Sequence, residues 1–86
     1  MTATLDFLVT DAQWLEVASG SAHVLIQRQS TKAVRVHVGA SEPANDAPAI
    51  ILADDRRELP LDSLAPTDKV FVAAVEDYGH VVVLRS

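Results

Sequence analysis

Val-Arg-Val-His-Val, residues 34–38, alternates valine with a charged or polar residue without a break. Side chains along a strand point to its two faces in turn. Val34, Val36 and Val38 therefore share one face, and Arg35 and His37 share the other. A strand with one apolar and one polar face belongs to an antiparallel sheet that covers a core on one side. His37, set among valines that face the core, is expected on the side of solvent or a partner.

Working outward, strand signals continue in both directions. Ala22–Gln29 (AHVLIQRQ) reads as a strand behind a Gly20-Ser21 turn, and Ser30-Thr31-Lys32 has a length that suits a hairpin into Val34. After Val38, Gly39–Pro48 (GASEPANDAP) concentrates turn-forming residues into a loop. Ala49–Ala53 is a short apolar strand, and Asp54-Asp55-Arg56 is a polar turn. Arg57–Leu61 (RELPL) is a weak strand that Pro60 confines to a sheet edge or a bend. Asp62–Asp68 is a turn with room for one short helical turn. Lys69–Val75 (KVFVAAV) and His80–Arg85 (HVVVLR) are expected to form a closing hairpin through Glu76-Asp77-Tyr78-Gly79, with Gly79 at positive φ at its tip. Toward the N-terminus, Thr10–Gln13 could cap a helical turn, but Trp14–Val17 is too short for a helix and reads as strand. Thr4–Val9 is a first strand or an extended arm. No window of more than ten residues holds a helical period. The expectation is an all-β protein: a small antiparallel β-sandwich or partly closed barrel of seven to eight short strands. Residues 1–10 form an N-terminal strand or arm, and residues 11–86 a single domain.

Composition narrows the function. A chain of 86 residues buries only about 60% of its unfolded surface, so disulfides, metal, dense packing or partner subunits are usually needed. Cysteine is absent and 49% of residues are hydrophobic, which leaves packing or association. Seven Lys and Arg stand against twelve Asp and Glu, a net charge of −5. Such a chain repels phosphate backbones and lacks the counterion release that drives nucleic-acid binding. The densest basic feature, Arg56-Arg57, is flanked by Asp54, Asp55 and Glu58. The apolar runs Ala47–Ala53 and Val81–Leu84 fall far short of the ~20 residues that cross a bilayer. Neither nucleic acid nor membrane is therefore expected as a partner. Met1-Thr2-Ala3-Thr4 brings no basic start and no long apolar core, so no signal peptide is expected and synthesis is placed in the cytoplasm.

The chemistry-bearing residues are sparse. His23, His37 and His80 could in principle gather as zinc ligands from neighbouring strands, but no HxH or CxxC spacing fixes them, so no metal is expected. The carboxylate pairs Asp54-Asp55 and Glu76-Asp77 sit in expected turns, where solvation keeps carboxylates ordinary; acid–base catalysis needs burial or a special neighbour. The serines lack a Gly-x-Ser-x-Gly elbow, and three glycines supply no phosphate loop. The expectation is a non-enzyme with no cofactor. Trp14 is either a core anchor or an interface hot spot. Leu5, Phe7 and Leu8 form either an edge strand or an arm that grips a partner. These four are the candidate assembly contacts.

The layout of the chain resembles small virion structural proteins of tailed bacteriophages. The matching features are Gln13-Trp14, the Gly20-Ser21 turn, the V-x-V-x-x-G-x-x-x-P segment formed by Val34, Val36, Gly39 and Pro43, and the closing strands Lys69–Val75 and Val81–Leu84. Asp54-Asp55-Arg56-Arg57 departs from the pattern, where that family more often has a glycine turn. The resemblance covers Ala12–Arg85. It implies a β-sandwich on a virus particle, made in the host cytoplasm and resident in the virion, with no catalysis. The role would be a capsid decoration (cement) protein, or a tail or head-fibre component. Its partners would be copies of itself, a trimer by analogy, and the major capsid protein or other virion proteins. A stand-alone protein- or carbohydrate-binding β-domain is the rival; the few aromatic residues count against glycan binding.

Overall fold

The computed structural model describes residues 3–53 and 55–86. Its elements are eight strands: β1 (Ala3–Thr10), β2 (Leu15–Ser19), β3 (Val24–Arg28), β4 (Val34–Gly39), β5 (Ile50–Leu52), β6 (Glu58–Leu61), β7 (Lys69–Ala74) and β8 (Tyr78–Arg85). No helix occurs among the described residues. Where a helical turn was allowed for after Asp62, Asp68 closes a non-helical turn: its carboxylate accepts from the Ala65 N–H at 2.9 Å and its own N–H donates to the Ala65 carbonyl at 3.0 Å. The all-β expectation is met. Of the polar turn Asp54-Asp55-Arg56, Asp54 lies outside the described residues.

The strands form two four-stranded sheets, ordered β1-β8-β3-β6 and β2-β7-β4-β5. Every pairing is antiparallel, and β1 pairs with β8, β2 with β7, β3 with β6 and β4 with β5. The chain is thus a long two-stranded ribbon, the first four strands running out and the last four running back. The pairs β3–β8 and β4–β7 roll that ribbon into a sandwich. This is the strand order of a jelly roll.

The roll overturns two expected hairpins. β3 and β4 lie in opposite sheets, so Ser30-Thr31-Lys32 is a corner between layers and not a hairpin turn. β7 and β8 are likewise split between sheets, and the positive φ in their connection belongs to Asp77 (57°), not Gly79. The Gly20 turn stands as expected, with φ of 70° and its N–H on the Asp68 carbonyl at 3.2 Å.

Both sheets contribute alternate residues to one core. Val9, Val24, Ile26, Leu59, Val81 and Val83 come from the first sheet, and Val17, Val34, Val36, Leu52, Val70 and Val72 from the second. Val34 and Val36 are buried as the VRVHV alternation requires, and Val38 is half-buried at the rim. Thr4–Val9 is not an arm: β1 pairs with β8 along its full length, from Ala3–Arg85 to Thr10–Tyr78. Pro60 sits in β6, an edge strand, where a missing N–H costs no ladder bond. Arg28, the one buried charged residue among the described residues, spans two corners of the roll; its guanidinium donates to the carbonyls of Ser30 and Ala53.

Gly79 has a packing role. A Cβ there would stand 2.7 Å from Val34 Cγ1 in the facing sheet, and it would also touch Val9 Cγ2 at 3.5 Å. A side chain at this point requires Val34 or the facing layer to shift. Gly79→Ala is expected to lower stability by about 1–3 kcal/mol, the usual cost of overpacking. Combining it with Val34→Ala, which removes the obstructing methyl, should make the joint loss smaller than the sum of the single losses in a urea melt.

Candidate assembly surface

The first strand carries the most exposed unpaired edge. Leu5, Phe7 and Val9 turn inward, and Thr4, Asp6, Leu8 and Thr10 are exposed on the outer face. The ladder phase fixes where the backbone points. Asp11 N–H donates to the Asp77 carbonyl at 3.1 Å, and β1 continues that register into β8. Because antiparallel residues alternate between bonded and non-bonded positions, the odd-numbered residues of β1 direct their N–H and C=O to β8. The same groups of Thr4, Asp6, Leu8 and Thr10 point away from the sheet.

The other three edges are blunted. β6 has four residues with Pro60 among them, β5 has three residues, and β2 is interrupted by a bulge between Glu16 and Ala18. Short strands, prolines and bulges are the devices that stop sheet edges from pairing with other chains. β1 has eight residues and none of those devices.

Side chains beside this edge are mixed in character. Leu8 is 74% exposed and Tyr78, across from Thr10, is 61% exposed. Asp6 reaches back to the His80 ring, and His23 pairs with Asp62 at 3.1 Å at the far end of the same sheet. Lys32 bridges the β7–β8 connection, with Nζ 2.5 Å from the Asp77 carboxylate and 5.4 Å from the centre of the Tyr78 ring. That carboxylate, as hydrogen-bond acceptor and opposite charge, holds the Lys32 ammonium above the usual lysine value.

The second sheet is closed over on its outside. Trp14, 4% exposed, packs on Phe71 and Ala73 of β7, with Ala49 at its border. The Arg35 guanidinium lies over the indole at 4.5 Å, and the His37 ring is tilted against it at 5.8 Å. All three side chains grip the Ala40–Ala49 connection by its carbonyls: Trp14 Nε1 donates to Ala44 O at 3.1 Å, Arg35 to Asn45 O, and His37 Nδ1 to Pro48 O at 2.8 Å. His37 therefore meets the protein's own loop.

Of the four residues singled out from the sequence, only Leu8 is openly exposed. Phe7 and Leu5 are half-buried on the inner face, and Trp14 sits in the closed cluster on the other sheet. The structure does not bring Trp14 together with the other three. Tyr78 was missed because its stretch read as a turn. The Arg35–His37 grip on the loop was missed too, although two polar residues on the strand before a Gly- and Pro-rich loop were a usable signal.

The chemistry-bearing residues stay apart. Each histidine has its own partner, and among the described residues no group of three or more His, Asp or Glu is placed to hold a metal ion. Asp55, Glu76 and Asp77 are exposed in turns. Among the described residues no helix is long and apolar enough to cross a membrane. Comparison with protein-family models, with curated proteins and with solved structures finds no match.

Proposed function

We propose that this protein is a non-enzymatic structural component of a tailed-bacteriophage particle, a decoration protein that binds the capsid surface as an oligomer and stabilises it. The observation that carries the reading is the eight-residue edge of β1, left open on a jelly roll whose other edges are blunted. An open edge of that length is a site for adding strands from another chain. Jelly rolls serve in viral capsid domains, and also in lectins and cupins, so the fold is compatible with the role without selecting it. The resemblance of the layout to small phage virion proteins supports the particle role over those alternatives. Association also suits the energetics, because a partner that binds only the folded form stabilises a small domain by mass action. The major capsid protein and other copies of this chain are the partners the reading calls for, with a tail or head-fibre position as its close variant. Glycan binding loses support, since Trp14 and Phe71 are buried and Phe7 is half-buried, leaving Tyr78 alone as an exposed aromatic platform.

Co-sedimentation of the purified chain with phage heads lacking decoration, and separately with tails, tests the proposal. Saturable binding to heads, with a rise in the temperature at which heads release their DNA, is expected. Binding to tails alone moves the protein to the close variant, and binding to neither particle overturns the proposal.

A further inference from the structure

We infer that two copies of this chain pair edge to edge through β1, antiparallel across a two-fold axis at Phe7, joining two four-stranded sheets into one of eight strands. This deepens the oligomer of the proposed function by naming the contact and its register.

The outward backbone groups belong to Thr4, Asp6, Leu8 and Thr10. In an antiparallel pair, bonded residues lie opposite bonded residues, so only registers that set these even positions against one another can form a ladder. Three such registers concern this strand. With the axis on Asp6, two carboxylates face each other, which is destabilising. With the axis on Leu8, Thr4 overhangs the partner strand and its outward groups stay unpaired. With the axis on Phe7, all four residues pair: Thr4 with Thr10 of the second copy, and Asp6 with its Leu8.

The inner face favours the same register. Phe7 and Leu5 are half-buried because β1 is the last strand of its sheet and nothing covers their outer flank. The axis at Phe7 brings the two Phe7 rings together in a non-hydrogen-bonded pair, where side chains approach most closely. It also sets Leu5 against Val9 of the second copy. One contact thus satisfies the free backbone groups and covers the exposed flank of the core. Identical antiparallel edges close on themselves, so the assembly stops at two.

The test uses the intact chain, light scattering over a range of concentrations, and charge changes at the exposed Leu8. Wild type is expected at the mass of two 9.2 kDa chains. In the Phe7-centred register position 8 faces Asp6 of the other copy twice, so Leu8→Asp should weaken the dimer by more than about tenfold. Leu8→Lys should preserve or tighten it. Since the chain has no cysteine, Thr4→Cys and Thr10→Cys can be oxidised together, and only their mixture should yield the linked dimer, with Leu8→Cys linking poorly to itself. Circular dichroism checks that each variant is folded. A monomer at every concentration, a trimer, a dimer weakened by Leu8→Lys, or efficient self-linking of Leu8→Cys overturns the inference. The particle-binding assay reads separately: a monomer that binds heads overturns this contact and the oligomer but leaves the decoration role standing, and a β1 dimer that binds no particle sinks that role alone.

Discussion

Val36→Asp is expected to leave the chain without a cooperative unfolding transition. Val36 is 1% exposed, lies across from Val72 in the central pair of the second sheet, and belongs to the core shared by both sheets. The substitution removes the burial of a valine, worth about 1.5–3 kcal/mol. It then adds a carboxylate with no cation beside it, at several kcal/mol or the cost of holding it protonated. At roughly 0.05–0.15 kcal/mol per residue, an 86-residue domain has about 4–13 kcal/mol to lose. The two sums are comparable, so most molecules should be unfolded at neutral pH. Leu8→Asp makes the same chemical change at an open position of β1 and should melt within about 0.5 kcal/mol of wild type under conditions where both are monomeric. Thermal melts followed by far-UV circular dichroism compare the two; a normal melt for Val36→Asp would mean that β4 is turned over.

Deleting residues 1–10 is expected to have an effect as large. Read from the sequence, that segment could have been an arm whose loss spares the domain. In the structure it is a full sheet strand. Its removal takes the Val9 side chain out of the core and strips Phe7 from its flank. It also leaves the backbone groups of Gly79, Val81, Val83 and Arg85 without partners. β8 then becomes a Val-rich edge strand, which is a site for uncontrolled pairing between chains. The truncated chain should show no sharp melt and should aggregate on heating. A soluble, cooperatively melting truncation would instead show that β1 docks on a sandwich complete without it.

The strands themselves were legible, because alternation and turn residues are local signals. VRVHV fixed the inward face of β4, Pro60 marked β6 as an edge, and Gly20 marked the turn after β2. The connections were not legible. Ser30-Thr31-Lys32 is as short as a hairpin loop, and only the distant pairing of β3 with β6 and β8 decides that it crosses between layers. Gly79 was read as a turn glycine because a turn was expected there; its real constraint is a methyl of Val34, 45 residues away in sequence. The candidate contacts divided on similar grounds. Alternation alone places Leu8 opposite Phe7, but nothing local reveals that a loop ten residues long closes over Trp14.

The pairing of β1 with β8 also dictates an order of events during synthesis. β8 is an inner strand of its sheet, lying between β1 and β3, both of which precede it in the chain. Until it leaves the ribosome, β1 and β3 have no common partner and the layer cannot form. The nascent chain therefore carries β1 and one side of β3 unpaired until β8 emerges. Contacts between such distant segments close late and slowly, so refolding belongs in the millisecond-to-second range of high contact order. A ribosome-stalled chain ending before Tyr78 should remain open to proteases, and protection should arrive in one step once β8 is free.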